Sequence, residues 1–234
     1  MREKVKEYFK DEIKNFNSFV TQVFCDSTGR FFVSKDGRKN NAFNLGKKIF
    51  TEDQFIDYLI DRINKEPEKN QIIKDKTITV LVGVPASGKS TWLDDNLENE
   101  VVISRDDTLM EYAKNNYIEG NYSEVWKQLT DEDQKQIDKI LQETFQKAVK
   151  ERKDIIVDMT NVSRKSRRKW LNTVPKDYNK KAVVFATEYD EIYARNEKRF
   201  QETGKNIPDF VISNMMKGFM IPTYDSFDEI EWVF

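Results

Sequence analysis

Histidine is absent from the 234-residue chain, and cysteine occurs once, at Cys25. The first absence removes the commonest general base and the commonest metal ligand. Proton abstraction therefore falls to a carboxylate, a lysine or a tyrosine, and zinc chemistry is disfavoured. The second absence rules out an internal disulfide, which fits a reducing compartment. Glycine (8) and proline (5) are too few for long low-complexity stretches. No apolar run approaches the ~18 residues of a membrane span, and the charged segment Met1–Lys10 is unlike a secretory leader. These features predict a cytoplasmic protein with no membrane partner. A net charge of -2 excludes nucleic-acid binding through a global positive field and leaves only a local basic patch for that purpose.

What the chain does have is enough for a core: 38% hydrophobic residues, with 16 Phe, 9 Tyr and 4 Trp, against 34% charged. Two regions differ in pattern. In residues 1–74, Val5, Tyr8, Phe9, Ile13 and Phe16 recur at helical spacing. Residues 18–34 read as two short strands around the turn Asp26–Gly29. Residues 37–48 read as a loop. Thr51 and Gln54 form a capping box that opens a helix with Phe55, Ile56, Leu59, Ile60 and Ile63 on its apolar face. Residues 64–71 are a polar connector. This predicts a small N-terminal α+β module.

Residues 75–234 alternate strand and helix. Apolar β-rich runs occupy 77–82, 100–104, 154–159 and 181–187, each short, as strands buried on both faces of a parallel sheet should be. Between them, Thr130–Lys150 reads as a helix with Ile137, Ile140, Leu141 and Val149 on one face. The expectation is an α/β fold with right-handed βαβ crossovers and a parallel sheet flanked by helices.

Gly83, Gly88, Lys89 and Ser90 fit the phosphate-loop pattern G-x-x-x-x-G-K-[ST], and an apolar strand precedes it. The glycines let successive backbone N–H groups face an anion, and the following helix adds its partial positive end. Gly83, Ala86, Ser87, Gly88, Lys89, Ser90 and Thr91 form the predicted nucleotide cradle. Lys89 should reach the β- and γ-phosphates, and the Ser90 hydroxyl should ligate Mg²⁺. Trp92 is expected to pack. The loop alone does not separate a kinase from an ATPase, though no N-K-x-D base reader of a GTPase occurs.

Three further stretches surround this loop. Ser104-Arg105-Asp106-Asp107 ends a strand, where a carboxylate can face the phosphate loop and take a proton from an attacking hydroxyl, or else simply cap the next helix. Asp158 closes another strand, where a carboxylate near Mg²⁺ is expected, with Thr160 and Asn161 just beyond. Arg164, Lys165, Arg167, Arg168 and Lys169 then fall within six residues, as a solvated face or as contacts to a phosphate backbone; on a helix, Arg164, Arg167 and Arg168 share a face. Arg195, Lys198 and Arg199 lie on a helix followed by the flexible stretch 202–208. That is either a lid whose arginine closes over a transferring phosphate or an exposed helix with a Glu191–Arg195 pair.

In order, the motifs G-x-P-x-S-G-K-S-T (83–91), R-D-D (105–107), D-x-T-N (158–161) and R-N-x-x-R-F (195–200) resemble those of phage and eukaryotic polynucleotide 5′-hydroxyl kinases. The resemblance covers 76–234 and includes the tail Phe219–Phe234 as a last strand. It implies a P-loop kinase fold that uses ATP and Mg²⁺ and takes the 5′ end of RNA or DNA as substrate. It implies Asp106 as general base, Lys89 and Ser90 on ATP and magnesium, Asp158 near the metal, and Arg199 as lid arginine with Arg195 nearby. Arg105, Asp106, Thr160, Asn161, Arg164, Arg167 and Arg168 fall on the acceptor side. The family often carries an arginine three residues past the R-D-D carboxylate. Here Leu109 stands there, so the grip on the strand must differ. No companion phosphatase domain is expected: residues 25–29 lack the second aspartate of such a motif and read as a turn. A kinase for another hydroxyl, such as a hydroxymethyl base or a small nucleoside, and an ATP-dependent nucleic-acid-binding switch stay open. No pattern encodes the oligomeric state.

Overall fold

The computed structural model describes residues 43–45, 48–50, 74–205 and 207–234. The helix expected near Val5–Phe16, the hairpin about Asp26–Gly29 and the helix after Thr51 lie outside the described residues. Within 37–48, read from the sequence as loop, strand β1 (Phe43–Leu45) pairs antiparallel with β2 (Lys48–Phe50), Phe43 opposite Phe50. The lysines and asparagines in and around these short runs hid the ribbon from the sequence.

The sheet that organises the remainder is parallel, with strand order β4–β5–β3–β6–β7. Its members are β3 (Lys76–Val82), β4 (Val101–Ser104), β5 (Ile155–Asp158), β6 (Tyr178–Phe185) and β7 (Glu229–Val233). The chain leaves central β3, visits β4 and β5 on one side, then crosses to β6 and β7 on the other. β3 therefore ends at the point where strand order reverses, where α/β sheets bind ligands. β6 begins earlier than its apolar run because Asn179, Lys180 and Lys181, all half-buried, pair with Thr77–Thr79.

Side chains alternate between the two faces of the sheet. Ile78, Val80, Val82, Ile103, Val157 and Val184 enter the larger core, while Leu81, Ile156, Val183 and Phe185 enter a smaller one. Helix α1 (Lys89–Asn96) serves the smaller face: Trp92 meets Phe185 edge-on, with centroids 6.4 Å apart, and its Nε1 donates to Glu231. Helices α2 (Arg105–Asn115), α3 (Tyr122–Gln128) and α4 (Asp131–Lys150) form a satellite layer in which Leu109, Ala113, Val125 and Ile137 are buried together. The long helix α4 starts at a capping box between Thr130 and Asp133. Its buried stripe is Ile137, Leu141, Phe145 and Ala148. Ile140, expected on that face, is exposed, because it lies roughly a quarter turn from the stripe's centre at 3.6 residues per turn. Helices α5 (Arg164–Leu171), α6 (Tyr189–Thr203) and α7 (Asp209–Lys217) complete the larger core through Trp170, Ile192 and Met216.

Candidate active site

The phosphate loop owes its shape to local backbone chemistry. Ala86 and Gly88 take left-handed conformations, with φ of 63° and 97°. A Cβ on Gly83 would lie 2.4 Å from Ser87 Oγ and 3.0 Å from Phe185 Cβ, so the turn closes only around glycine. Neighbouring strands hold the loop: the Gly83 N–H donates to the Thr160 carbonyl at 3.0 Å, and the Thr187 hydroxyl to the Ser87 carbonyl at 2.9 Å. Lys89 opens α1 and turns back over the loop, donating to the carbonyls of Gly83 (3.0 Å) and Val84 (2.7 Å). Burial pushes its ammonium down to about 8, against the pull of Asp158 and Asp106 and with the help of Arg199 and Lys205.

The carboxylates come from adjacent strand ends, since Ser104 and Asp158 are register partners in β4 and β5. Capping of α2 falls to Ser104, whose hydroxyl accepts from the Asp107 N–H at 3.2 Å. Neither Asp106 nor Asp107 caps, contrary to one sequence-based expectation, and Asp106 is left to face the cleft. It accepts a hydrogen bond from the Tyr122 hydroxyl at 2.8 Å and pairs with Lys205. Burial would raise its pKa. The Lys205 ammonium, the Tyr122 hydroxyl and Arg105 outweigh that and hold the carboxyl below its ordinary range. Asp158 moves the other way: burial raises it, aided by Asp107 and Asp106 and opposed by Lys89.

Cations close the cleft. Arg195 pairs with Glu191 as the exposed-helix reading expects, yet also lines the cleft beside Gly88. Arg199 donates to Asn196 Oδ1 at 2.7 Å, and its buried Nε has no partner among the described residues. Arg105 is braced by Asp138 (2.9 Å) and Gln134 (2.6 Å) on α4. Together Lys89, Ser90, Asp106, Asp158, Arg195 and Arg199 line one cleft of about 760 Å³, with Arg105 and Thr160 at its wall. That volume suits a nucleotide-sized ligand.

Four expected acceptor residues do not reach this cleft. Asn161, with φ of 45°, is buried, and its Nδ2 donates to the Leu81 carbonyl at 3.0 Å. Arg167 is buried too; it donates to the carbonyls of Asn161 (2.9 Å) and Val162 (3.1 Å). Burial, with Arg164 nearby, lowers its pKa to about 10. These two residues brace the phosphate loop from behind. Arg164 and Arg168 are exposed, so the three arginines do not share a face: Arg167 turns inward with Trp170 and Leu171. Leu109 is wholly buried, which takes that position out of reach of any ligand.

Lys205, Tyr122 and Thr187 escaped sequence reasoning. Lys205 sits in the stretch 202–208, which the sequence marks only as a flexible loop. For Tyr122 no local signal exists, because only the fold brings α3 to Asp106.

Ser90, at the first turn of α1, and Asp158 offer a hydroxyl and a carboxylate on one cleft. Such a sparse donor set would suit a magnesium ion, which needs only one or two protein oxygens.

A family model described as AAA domain matches residues 78–222. The chain is 21% identical over 246 aligned residues to the bifunctional polynucleotide phosphatase/kinase of Schizosaccharomyces pombe, covering 97% of this chain and 54% of that protein. Among solved structures, it is similar to a chain of the Pnkp1/Rnl/Hen1 RNA repair complex at 25% identity with a TM-score of 0.51, covering 65% of this chain and 46% of that one. The chain thus spans about half the length of these two relatives. The family match runs from the phosphate-loop strand past the last helix, over more than half of the residues: the chain belongs to the AAA domain family and has a P-loop kinase fold.

Proposed function

We propose that the protein is an ATP-dependent polynucleotide kinase that transfers the γ-phosphoryl group to a 5′-hydroxyl end of RNA or DNA. The observation that carries this reading is the shared cleft of Asp106 and Lys89, a carboxylate and the phosphate-loop ammonium lining one space. Similarity to polynucleotide kinases in sequence and structure supports the acceptor class.

In the proposed reaction the acceptor hydroxyl donates to Asp106. The carboxylate takes the proton as the oxygen bonds to the γ-phosphorus, and the bond from that phosphorus to the bridging oxygen breaks, releasing ADP. Lys89 and Arg199 hold the charge that spreads over the phosphoryl oxygens. Ser90 and Asp158 would hold a Mg²⁺ ion, which supplies further neutralisation of phosphate charge. Arg195 extends the cationic wall, and Arg164 and Arg168 offer an exposed phosphate-backbone contact on α5. In this reading residues 75–234 are the kinase domain and 1–74 a separate module. No helix of the described residues is long and apolar enough to cross a membrane. The proposed site of action is the cytoplasm, whose reducing environment suits a sequence with one cysteine.

The test is an acceptor screen with γ-labelled ATP, comparing the wild type with Asp106→Asn. Label should appear on 5′-hydroxyl oligonucleotides and be lost in the variant. Label on hydroxymethyl bases or free nucleosides instead would replace the acceptor. ATP hydrolysis indifferent to every acceptor would favour a nucleotide-driven binding switch and end the kinase proposal.

A further inference from the structure

Helix α3 carries two aromatic side chains that the phosphoryl-transfer chemistry leaves unexplained. Tyr122 and Trp126 are four residues apart, hence on one helical face, and their rings stack with centroids 6.2 Å apart and planes inclined by 22°. Each ring also has a cation over it: the Lys205 ammonium is 3.9 Å from the Tyr122 centroid, and the Arg105 guanidinium is 5.3 Å from that of Trp126. Asp138 and Gln134 both accept from Arg105 and orient its guanidinium. At its inner end the pair is anchored to the reaction centre, since the Tyr122 hydroxyl donates to Asp106.

Trp126 is not there to fill the interior. The fully buried anchor of α3 is the neighbouring Val125, packed with Leu109, Ala113 and Ile137, while Trp126 is 44% exposed. A large flat ring is thus held by Tyr122 and Arg105 while close to half of its surface stays open to solvent. It lies one ring beyond the residue that touches the proposed base. In a nucleic-acid acceptor, a nucleobase lies one sugar beyond the reacting oxygen.

Building on the polynucleotide-kinase reading, we infer that Trp126 is a stacking platform for a nucleobase near the 5′ end of the acceptor strand. Tyr122 is the positioning residue that ties this platform to Asp106. Every base has a π-face, so such a platform grips without selecting sequence. It supplies strand affinity at a site where Leu109 provides none.

The test is steady-state phosphorylation of a short 5′-hydroxyl oligonucleotide by the wild type, Trp126→Ala and Trp126→Phe. Each is also assayed on the same strand carrying an abasic nucleotide at the first, second or third position. Trp126→Ala should raise the KM for acceptor about tenfold and leave the KM for ATP unchanged, with Trp126→Phe close to wild type. One abasic position should raise the wild-type KM by a similar factor and add nothing further in Trp126→Ala, since both remove one contact. The abasic scan of the wild type does not depend on how either variant folds. An unchanged acceptor KM in Trp126→Ala, or abasic and alanine effects that simply multiply, would overturn the platform while leaving the kinase intact. If Trp126→Ala shifted only self-association, the ring would be a protein contact and the inference would be wrong. Wild-type protein that labels no oligonucleotide would fail one step earlier and take both readings with it.

Discussion

Lys205 and Asp106, 99 residues apart in the chain, are joined as an ion pair across the mouth of the cleft. Lys205 and Tyr122 each hold one oxygen of this carboxylate, so in the proposed reaction an acceptor hydroxyl would have to share or displace one of them. Lys205 also keeps the carboxyl ionised to lower pH, against the opposite pull of burial. Removing it in Lys205→Met should therefore move the acid limb of the kcat/KM profile to higher pH. The sign follows from linkage: a depressed carboxyl stays charged down to its lowered pKa, and loss of the cation raises that value. An acid limb at the wild-type position would show that the pair does not persist in solution.

Arg199 has a half-buried guanidinium with one donor committed to Asn196 and an Nε that has no hydrogen-bond partner among the described residues. Arg199→Ala should lower turnover by about 10²-fold or more if the side chain stabilises the transferring group, with a much smaller change in thermal stability. Turnover within a few-fold of wild type, which is ordinary variation for a distant surface change, would remove it from the lid role.

Arg167 and Arg168 are adjacent and should behave oppositely. Arg167→Met leaves the Asn161 and Val162 carbonyls without their donor and should cost about 1–3 kcal/mol of stability. A lowered melting temperature is the readout. Arg164→Ala with Arg168→Ala should leave melting unchanged and flatten the salt dependence of single-strand binding by about 0.7 per lost phosphate contact. If the double variant binds with the wild-type salt slope, α5 takes no part in the grip.

Lys89 titrates near 8 in the nucleotide-free protein, so its charge fades as pH rises through that value. Nucleotide affinity should weaken between about pH 7.5 and 9.5, above the last phosphate ionisation, as shown by calorimetric titration. Folding responds with the reverse sign. An unfolded lysine binds its proton more tightly, so the stability of the nucleotide-free protein should rise with pH from about 8 toward the ordinary value of 10.5. Flat affinity over this range would mean that bound phosphate holds the proton throughout.

The strands of the large sheet were legible because each is a short apolar run buried on two faces, and the phosphate loop because glycines at fixed spacing admit few other structures. Asp106, Asp158, Arg195 and Arg199 were legible as strand ends and a helix face pointing to one cleft. The fate of the arginine cluster was not. A helical wheel gives angular position, but only the packed neighbours Trp170 and Leu171 reveal that Arg167 lies on the inward arc. The start of β6 was hidden because Asn179 and Lys180 are polar residues of a half-exposed strand end. Tyr122 and Lys205 were invisible for a topological reason: α3 and the stretch after α6 meet at Asp106 only once the sheet is assembled.

That meeting has a mechanical side. The Ser123 hydroxyl donates to the Gly204 carbonyl at 3.0 Å, and Gly204, at φ 70°, sits against the Asn121 side chain. The end of α6, a turn beyond Arg199, and the helix α3 that carries Tyr122 are thereby linked. A nucleotide that draws Arg199 inward should pull the acceptor wall with it. Thermodynamic reciprocity then requires the acceptor to tighten nucleotide binding by the same factor. Ser123→Ala should uncouple the two dissociation constants, measured with a non-hydrolysable nucleotide, so that the enzyme meets its two substrates as strangers.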